Sequence, residues 1–197
     1  MEMLPLAFTS GWASGLNAWA TVLVLGLIGR FGGVQGIPEG FQRTDVLIVM
    51  GVLAVVELVA DKIPYLDSAW DTVSTVIRPV AGATIGALIA GQTGDLGTVA
   101  LAAVGGITAL LSHLAKAGLR LAVNTSPEPL SNLTASAVGD LSLVGVLSLA
   151  ALYPVAAATV AGVLLVLTIG LTLFLFTRVQ KGWRRFQAWR AARRATA

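Results

Sequence analysis

The chain has no cysteine, a single histidine and few charges. Without cysteine there can be no disulfide, no thiolate metal site and no cysteine nucleophile. The lone His113 has Ser112 and Lys116 as its near neighbours on a helical wheel, which are not zinc ligands, so it reads as a helix-packing residue. Charged residues make up 12% of the chain, where a soluble domain carries roughly one quarter. A water-exposed fold would lack the polar residues to cover its surface. There is no GxxxxGK[ST], no GxSxG and no HExxH, so neither a nucleotide site nor a hydrolase is marked, and nothing in the sequence singles out an enzyme. The first nine residues contain no base, which does not fit the n-region of a signal peptide, so the first apolar helix is expected to be retained.

What the chain has in abundance is apolar sequence. Hydrophobic residues reach 56% and mean hydropathy is +0.83. A transmembrane helix needs about 20 mostly apolar residues. Gly11–Gly29, Pro79–Gly94, Leu96–Ala115 and Leu141–Thr177 carry no charge, and Val46–Val59 carries only Glu57. These runs predict an all-α integral membrane bundle of about six spans. The expected spans are Ser10 to Arg30, Asp45 to Asp61, Val80 to Gln92, Leu96 to Arg120, Leu141 to Leu152 and Pro154 to Thr177, with Tyr153-Pro154 turning between the last two. Two short polar helices, 66–77 and 127–139, are expected as separate elements, re-entrant or interfacial, after Pro64 and after Asn124-Thr125-Ser126-Pro127. Residues 1–180 then form one transmembrane domain, with a weak internal repeat over 45–94 and 96–152, and 181–197 a basic tail. Pro-interrupted helices in corresponding positions of a repeat point to a transporter-like site.

Lys and Arg in short loops set orientation. The tail holds Arg178, Lys181, Arg184, Arg185, Arg190, Arg193 and Arg194. With six spans, Lys62, Arg78, Lys116 and Arg120 fall on the same side, which places both termini in the cytoplasm of a bacterial inner-membrane protein. Trp183, Phe186 and Trp189 among the tail's bases suit anchoring to membrane lipids; no soluble nucleic-acid-binding module accompanies them, so nucleic acid is not an expected partner.

Ionisable groups near membrane depth carry the functional signal, because burying a charge there costs about 2.5–3.5 kcal/mol on insertion scales. Glu57 and Asp61 share one helix face, and Asp67 and Asp71 repeat the spacing, with Thr75 and Arg78 extending the stripe. The four carboxylates could hold a hard cation such as Na⁺, Mg²⁺ or Ca²⁺, relay protons, or form internal ion pairs with Lys62, Arg78, Lys116 and Arg120. A second polar stripe runs through Glu128, Asn132, Ser136 and Asp140, and a third through Ser112, Lys116 and Arg120. In the first span Ser10, Ser14 and Asn17 make a polar face, with Gly11 and Gly15 at GxxxG spacing, as are Gly82 and Gly86 later. Small residues allow close helix approach, within the chain or in a homo-oligomer. Asn17 stands apart because a buried amide needs partners.

Three stretches are distinctive together: 14–19 (SGLNAW), 57–71 (ELVADKIPYLDSAWD) and 116–132 (KAGLRLAVNTSPEPLSN). On these the chain resembles family 4126 of the domains of unknown function, small bacterial membrane proteins, over nearly its whole length except the basic tail. It departs from that pattern at Gly139-Asp140, where the resemblance implies an acidic pair. The resemblance implies membrane class and marks these polar segments, Asn124 included, as the family's hallmark; it implies no activity. The leading expectation is a small transporter or channel-like protein for a cation, a proton or a small polar solute. Its site would be drawn from Asn17, Glu57, Asp61, Lys62, Asp67, Asp71, Arg78, Lys116, Arg120, Asn124, Glu128 and Asn132. The alternatives are a lipid-phosphate-handling enzyme or flippase, whose bases grip a phosphate, and a non-catalytic membrane scaffold.

Overall fold

A computed structural model describes residues 3–34, 36–63, 66–91, 95–123 and 129–195. Among them every regular element is helical: α1 (Met3–Leu16), α2 (Ala18–Gly32), a short 3₁₀ turn (Glu39–Gln42), α3 (Thr44–Ala60), α4 (Leu66–Ala90), α5 (Asp95–Val123), α6 (Pro129–Leu152) and α7 (Pro154–Ala195). Three of these contain a segment long and apolar enough to cross a membrane, Ala69–Ala90, Asp95–Ala122 and Pro154–Ala188; Ala18–Gly32 and Ser136–Leu152 are shorter apolar helices.

Two expectations need correcting. The polar segments 66–77 and 127–139 are not free-standing helices. The first runs without interruption through Arg78-Pro79 into the apolar half of α4, and the described part of the second, from Pro129, continues into α6. Pro79 is tolerated inside α4 although it lacks an N–H. One turn of the neighbouring α1 packs against this stretch, where Ser14 Oγ donates to the Arg78 carbonyl at 3.2 Å.

The first expected span, conversely, is two helices. The chain leaves α1 with Asn17 N–H on the Ala13 carbonyl, and α2 begins with Thr21 N–H on the Asn17 carbonyl. Between them Asn17 is extended (φ −156°, ψ 107°), and its side-chain oxygen accepts from Ala20 N–H at 2.9 Å, an N-cap for α2. The chain turns back here: Met3 at the start of α1 lies beside Gly36–Glu39, just beyond α2. Gly33 ends α2 in the left-handed region (φ 61°), which a glycine adopts without cost. Tyr153 breaks the chain between α6 and α7 with the same pair of backbone bonds, Tyr153 to Leu149 and Ala157 to Tyr153.

Contacts along the chain give the helices alternating directions. Gly11 of α1 meets Gly105 of α5, and Gly15 meets Ala109 and Ser112. Gly82 of α4 meets Gly105 and Ala109, and Gly86 meets Leu101. Asp140 at the start of the apolar part of α6 lies near Lys62 after α3, and Thr172 of α7 donates to the Ala115 carbonyl of α5. The start of α1 and the tail therefore sit at opposite ends of the bundle. The expectation of both termini on one side rested on an unbroken first span; the Asn17 corner splits that span into two helices.

The middle of the bundle is α1, whose residues Thr9–Gly15 are all buried. Its glycines permit backbone-to-backbone contact: a Cβ at Gly11 would overlap the Gly105 carbonyl. The GxxxG pairs of α1 and α4 are thus spent on α1–α4–α5 packing inside the chain. Around them lies an apolar core of Trp12, Leu25, Ile85, Leu143, Leu147 and Leu165. The outer faces of α3 and α7 expose Val52, Val55, Val59, Val163, Val166 and Leu167. α7 is about 63 Å long, roughly twice the ~30 Å hydrocarbon core, so the tail's bases prolong the last apolar helix.

Candidate functional site

Three sequence stripes meet around the Asn17 corner. From α3 come Glu57 and, just past its end, Asp61, four residues apart. From α4 come Asp71, Thr75 and Arg78. From α5 come Ser112, His113, Lys116 and Arg120. All but Lys116, which is partly exposed, and Thr75 are buried.

Arg78 is 1% exposed. One guanidinium nitrogen donates to Glu57 Oε1 at 2.5 Å. The other reaches the Gly15 carbonyl at 3.1 Å and His113 Nδ1 at 2.7 Å, with Asp71 Oδ1 at 3.7 Å. Because arginine can only donate, His113 Nδ1 is the acceptor, which puts the ring proton on Nε2. That proton faces Thr75 Oγ1 at 3.0 Å, and Thr75 in turn donates to the Asp71 carbonyl at 2.8 Å. Nearer the α3 end, Lys116 Nζ bridges the Leu16 carbonyl at 2.6 Å and Asp61 Oδ2 at 2.5 Å. Arg120 joins Asp61, at 3.1 Å, to Asp71, at 2.9 Å. Ser112 Oγ donates to the Trp12 carbonyl at 2.8 Å.

Two physical points follow. The last turn of a helix leaves carbonyls unpaired and carries the negative end of the helix dipole. At α1 this end is buried, and Arg78 and Lys116 supply donors to Gly15 and Leu16. The charges also balance: Glu57, Asp61 and Asp71 against Arg78, Lys116 and Arg120. A neutral, hydrogen-bonded set is the form in which buried ions are tolerated, since each isolated ion would cost several kcal/mol. Some slack remains, because Arg78 Nε and Asp71 Oδ1 are buried without a hydrogen bond.

The structure thus brings together Asn17, Glu57, Asp61, Asp71, Arg78, Lys116 and Arg120. Lys62 stands at the rim, 3.8 Å from Asp140. The side chains of Asp67 and Asn132, and Asn124 and Glu128 altogether, lie outside the described residues. Among the described residues no group of three or more acids or histidines converges as a metal site would; the carboxylates of Glu57, Asp61 and Asp71 each face a cationic side chain. His113, read from the sequence as packing, is a full member of the network, at i, i+3 and i+7 with Lys116 and Arg120. The Gly15 and Leu16 carbonyls had no sequence signal beyond Asn17 inside an uncharged run.

A family model described as Domain of unknown function (DUF4126) matches residues 4–173. The chain belongs to that family. No curated protein and no solved structure matches it. The DUF4126 match takes in all the cluster residues and ends before the basic tail, so the corner and the charge network lie in the family's own domain, and the tail is an extension of α7 beyond it.

Proposed function

We propose that this DUF4126 protein moves a small cationic solute or a proton across a bacterial cytoplasmic membrane, with its site at the Asn17 corner. The observation that carries the reading is the buried end of α1, whose Gly15 and Leu16 carbonyls are held by Arg78 and Lys116 from a charge-balanced network. Helices broken at depth, with free carbonyl ends beside ionisable groups, are how transporters build cation sites, and such backbone is tolerated only where protein surrounds it. A cation arriving at the corner competes with Lys116 for two oxygen ligands at once, Leu16 O and Asp61 Oδ2. Asp61 keeps Arg120 while Lys116 is displaced, so the carboxylate is never left unpaired, and the added positive charge requires Lys116 to leave the network or give up its proton. In this reading all seven helices lie in the bilayer. The bundle end with Lys62, Arg120 and the tail faces the cytoplasm, and α1 begins on the other side.

A scaffold reading is favoured by one specific observation: each of the three carboxylates already has a cationic partner and the sum is zero. Lipid-phosphate handling is less well supported, because Arg78, Lys116 and Arg120 are committed to carboxylates and carbonyls. Flux in proteoliposomes under imposed pH and voltage gradients separates these readings. Wild-type flux that disappears in Glu57→Gln/Asp61→Asn supports transport at the corner. Undiminished flux in a folded double variant moves the site elsewhere, and no cation or proton flux from folded wild type rejects transport.

A further inference from the structure

α3 packs on α2, but its backbone nowhere closely approaches that of α6 among the described residues. The gap between α3 and α6 is a crevice of about 180 Å³. Its walls are apolar, with Leu23 from α2, Gly51 and Leu58 from α3 and Val144 from α6; Asn17 and Asp140 stand at its polar end. Gly51 keeps it open, since a Cβ there would meet only Leu23, at 3.9 Å. Asn17 is 2% exposed. Its Oδ1 is used by the Ala20 N–H, and its Nδ2 makes no hydrogen bond among the described residues, although it borders the crevice. An amide donor that opens only onto a largely apolar hollow is poorly served by water. The position calls for a ligand that is mostly hydrocarbon and carries one acceptor oxygen.

We infer that the crevice binds one acyl chain of a membrane phospholipid, the ester carbonyl accepting from Asn17 Nδ2 and the chain lying along Leu23 and Gly51. Three features select this occupant. The crevice is flanked by exposed Val55, Leu58 and Val144, so it opens toward lipid. The Asp140 carboxylate beside it, whose Oδ2 is buried without a hydrogen bond, repels an ionised fatty-acid head more strongly than a neutral ester. Lys62, about one third exposed and only 3.8 Å from Asp140, is placed at the same end of the bundle to meet a phosphate. The crevice shares Asn17 with the corner but none of the three acids and three bases of the network, and it does not depend on the transport reading.

The test is photolabelling in lipid nanodiscs with a phosphatidylglycerol carrying a diazirine a few carbons beyond its ester, with adducts mapped by mass spectrometry. The expected result is labelling on α2 and α3 near Leu23 and Gly51 several-fold above that on exposed α7 positions such as Val166. Gly51→Leu, which fills the crevice, should abolish the excess and leave α7 labelling and helicity unchanged. Asn17→Asp keeps a capping oxygen and removes the amide donor, and it should lower the same adducts. Equal labelling of α7 and the crevice overturns the site, as does labelling that Gly51→Leu does not change. Equal crevice labelling by a diazirine alkane overturns the carbonyl contact, and equal labelling by a diazirine fatty acid overturns the phospholipid assignment.

Discussion

The two corners at Asn17 and Tyr153 use one backbone device, a single extended or non-helical residue whose N–H closes the preceding helix and whose carbonyl opens the next. Their surroundings are opposite. Tyr153 is 63% exposed, and the carbonyls that end α6 need no help from other helices. Asn17 is buried, and the carbonyls ending α1 are met by Arg78 and Lys116 from two other helices. The same turn is a connector at the surface and becomes a polar site when it is buried, because every unpaired group at a helix end must then find a partner in the protein. The charge network can be understood as the set of residues that a buried corner demands, together with the counter-charges those residues demand.

If that is correct, the corners should differ most when a cation is removed. Arg78→Met leaves Glu57 buried without its partner and the Gly15 carbonyl uncovered. Breaking a buried pair from one side costs about 3–5 kcal/mol, so the denaturation midpoint in detergent should fall sharply. Glu57→Leu in the Arg78→Met background should recover a large part of the loss, since apolar replacement of a whole buried pair is often neutral. A double variant as unstable as the single one would mean that the Gly15 and His113 contacts, and not the Glu57 charge, make Arg78 necessary. Lys116→Met should cost less, about 1–3 kcal/mol, because Asp61 retains Arg120. A loss equal to that of Arg78→Met would show that the Leu16 carbonyl is the more demanding partner.

How much of this was open to inspection in the sequence differs between the two corners for the same physical reason. Tyr153-Pro154 was legible because proline suits the first position of a helix and cannot continue one. Leu16-Asn17 sits in nineteen uncharged residues, Gly11–Gly29, long enough to be read as one span, and a lone asparagine is a weak stop signal. The i, i+4 pair Glu57/Asp61 and the 112/116/120 stripe were visible because helical spacing fixes a shared face. Which stripes face one another is set by tertiary packing, here the glycine contacts of α1, α4 and α5. That is why the sequence reads His113 as packing: the donor that fixes its ring, Arg78, comes from a remote stretch of sequence.

At the corner residues themselves the expected effects are smaller. Asn17→Ala removes the N-cap, worth about 1 kcal/mol in ordinary helices with a range of roughly 0.5–2. A buried cap in a tightly packed bundle belongs at the upper end of that range, and Asn17→Asp should retain much of it by keeping the capping oxygen.

Pro154→Ala tests the other side of the comparison. Alanine is as good a helix former as any residue and needs no new space at an exposed corner. What it gives up is the fixed φ that proline brings to the first helical position, an effect exerted mainly on the unfolded chain and worth about 0.4–1 kcal/mol. The folded corner has no buried carbonyl or counter-charge depending on it, so flux and helicity should be those of wild type. A loss from Pro154→Ala as large as that from Asn17→Ala would show that a helix corner is sensitive because of its geometry alone, and would remove the burial argument on which the Asn17 site stands.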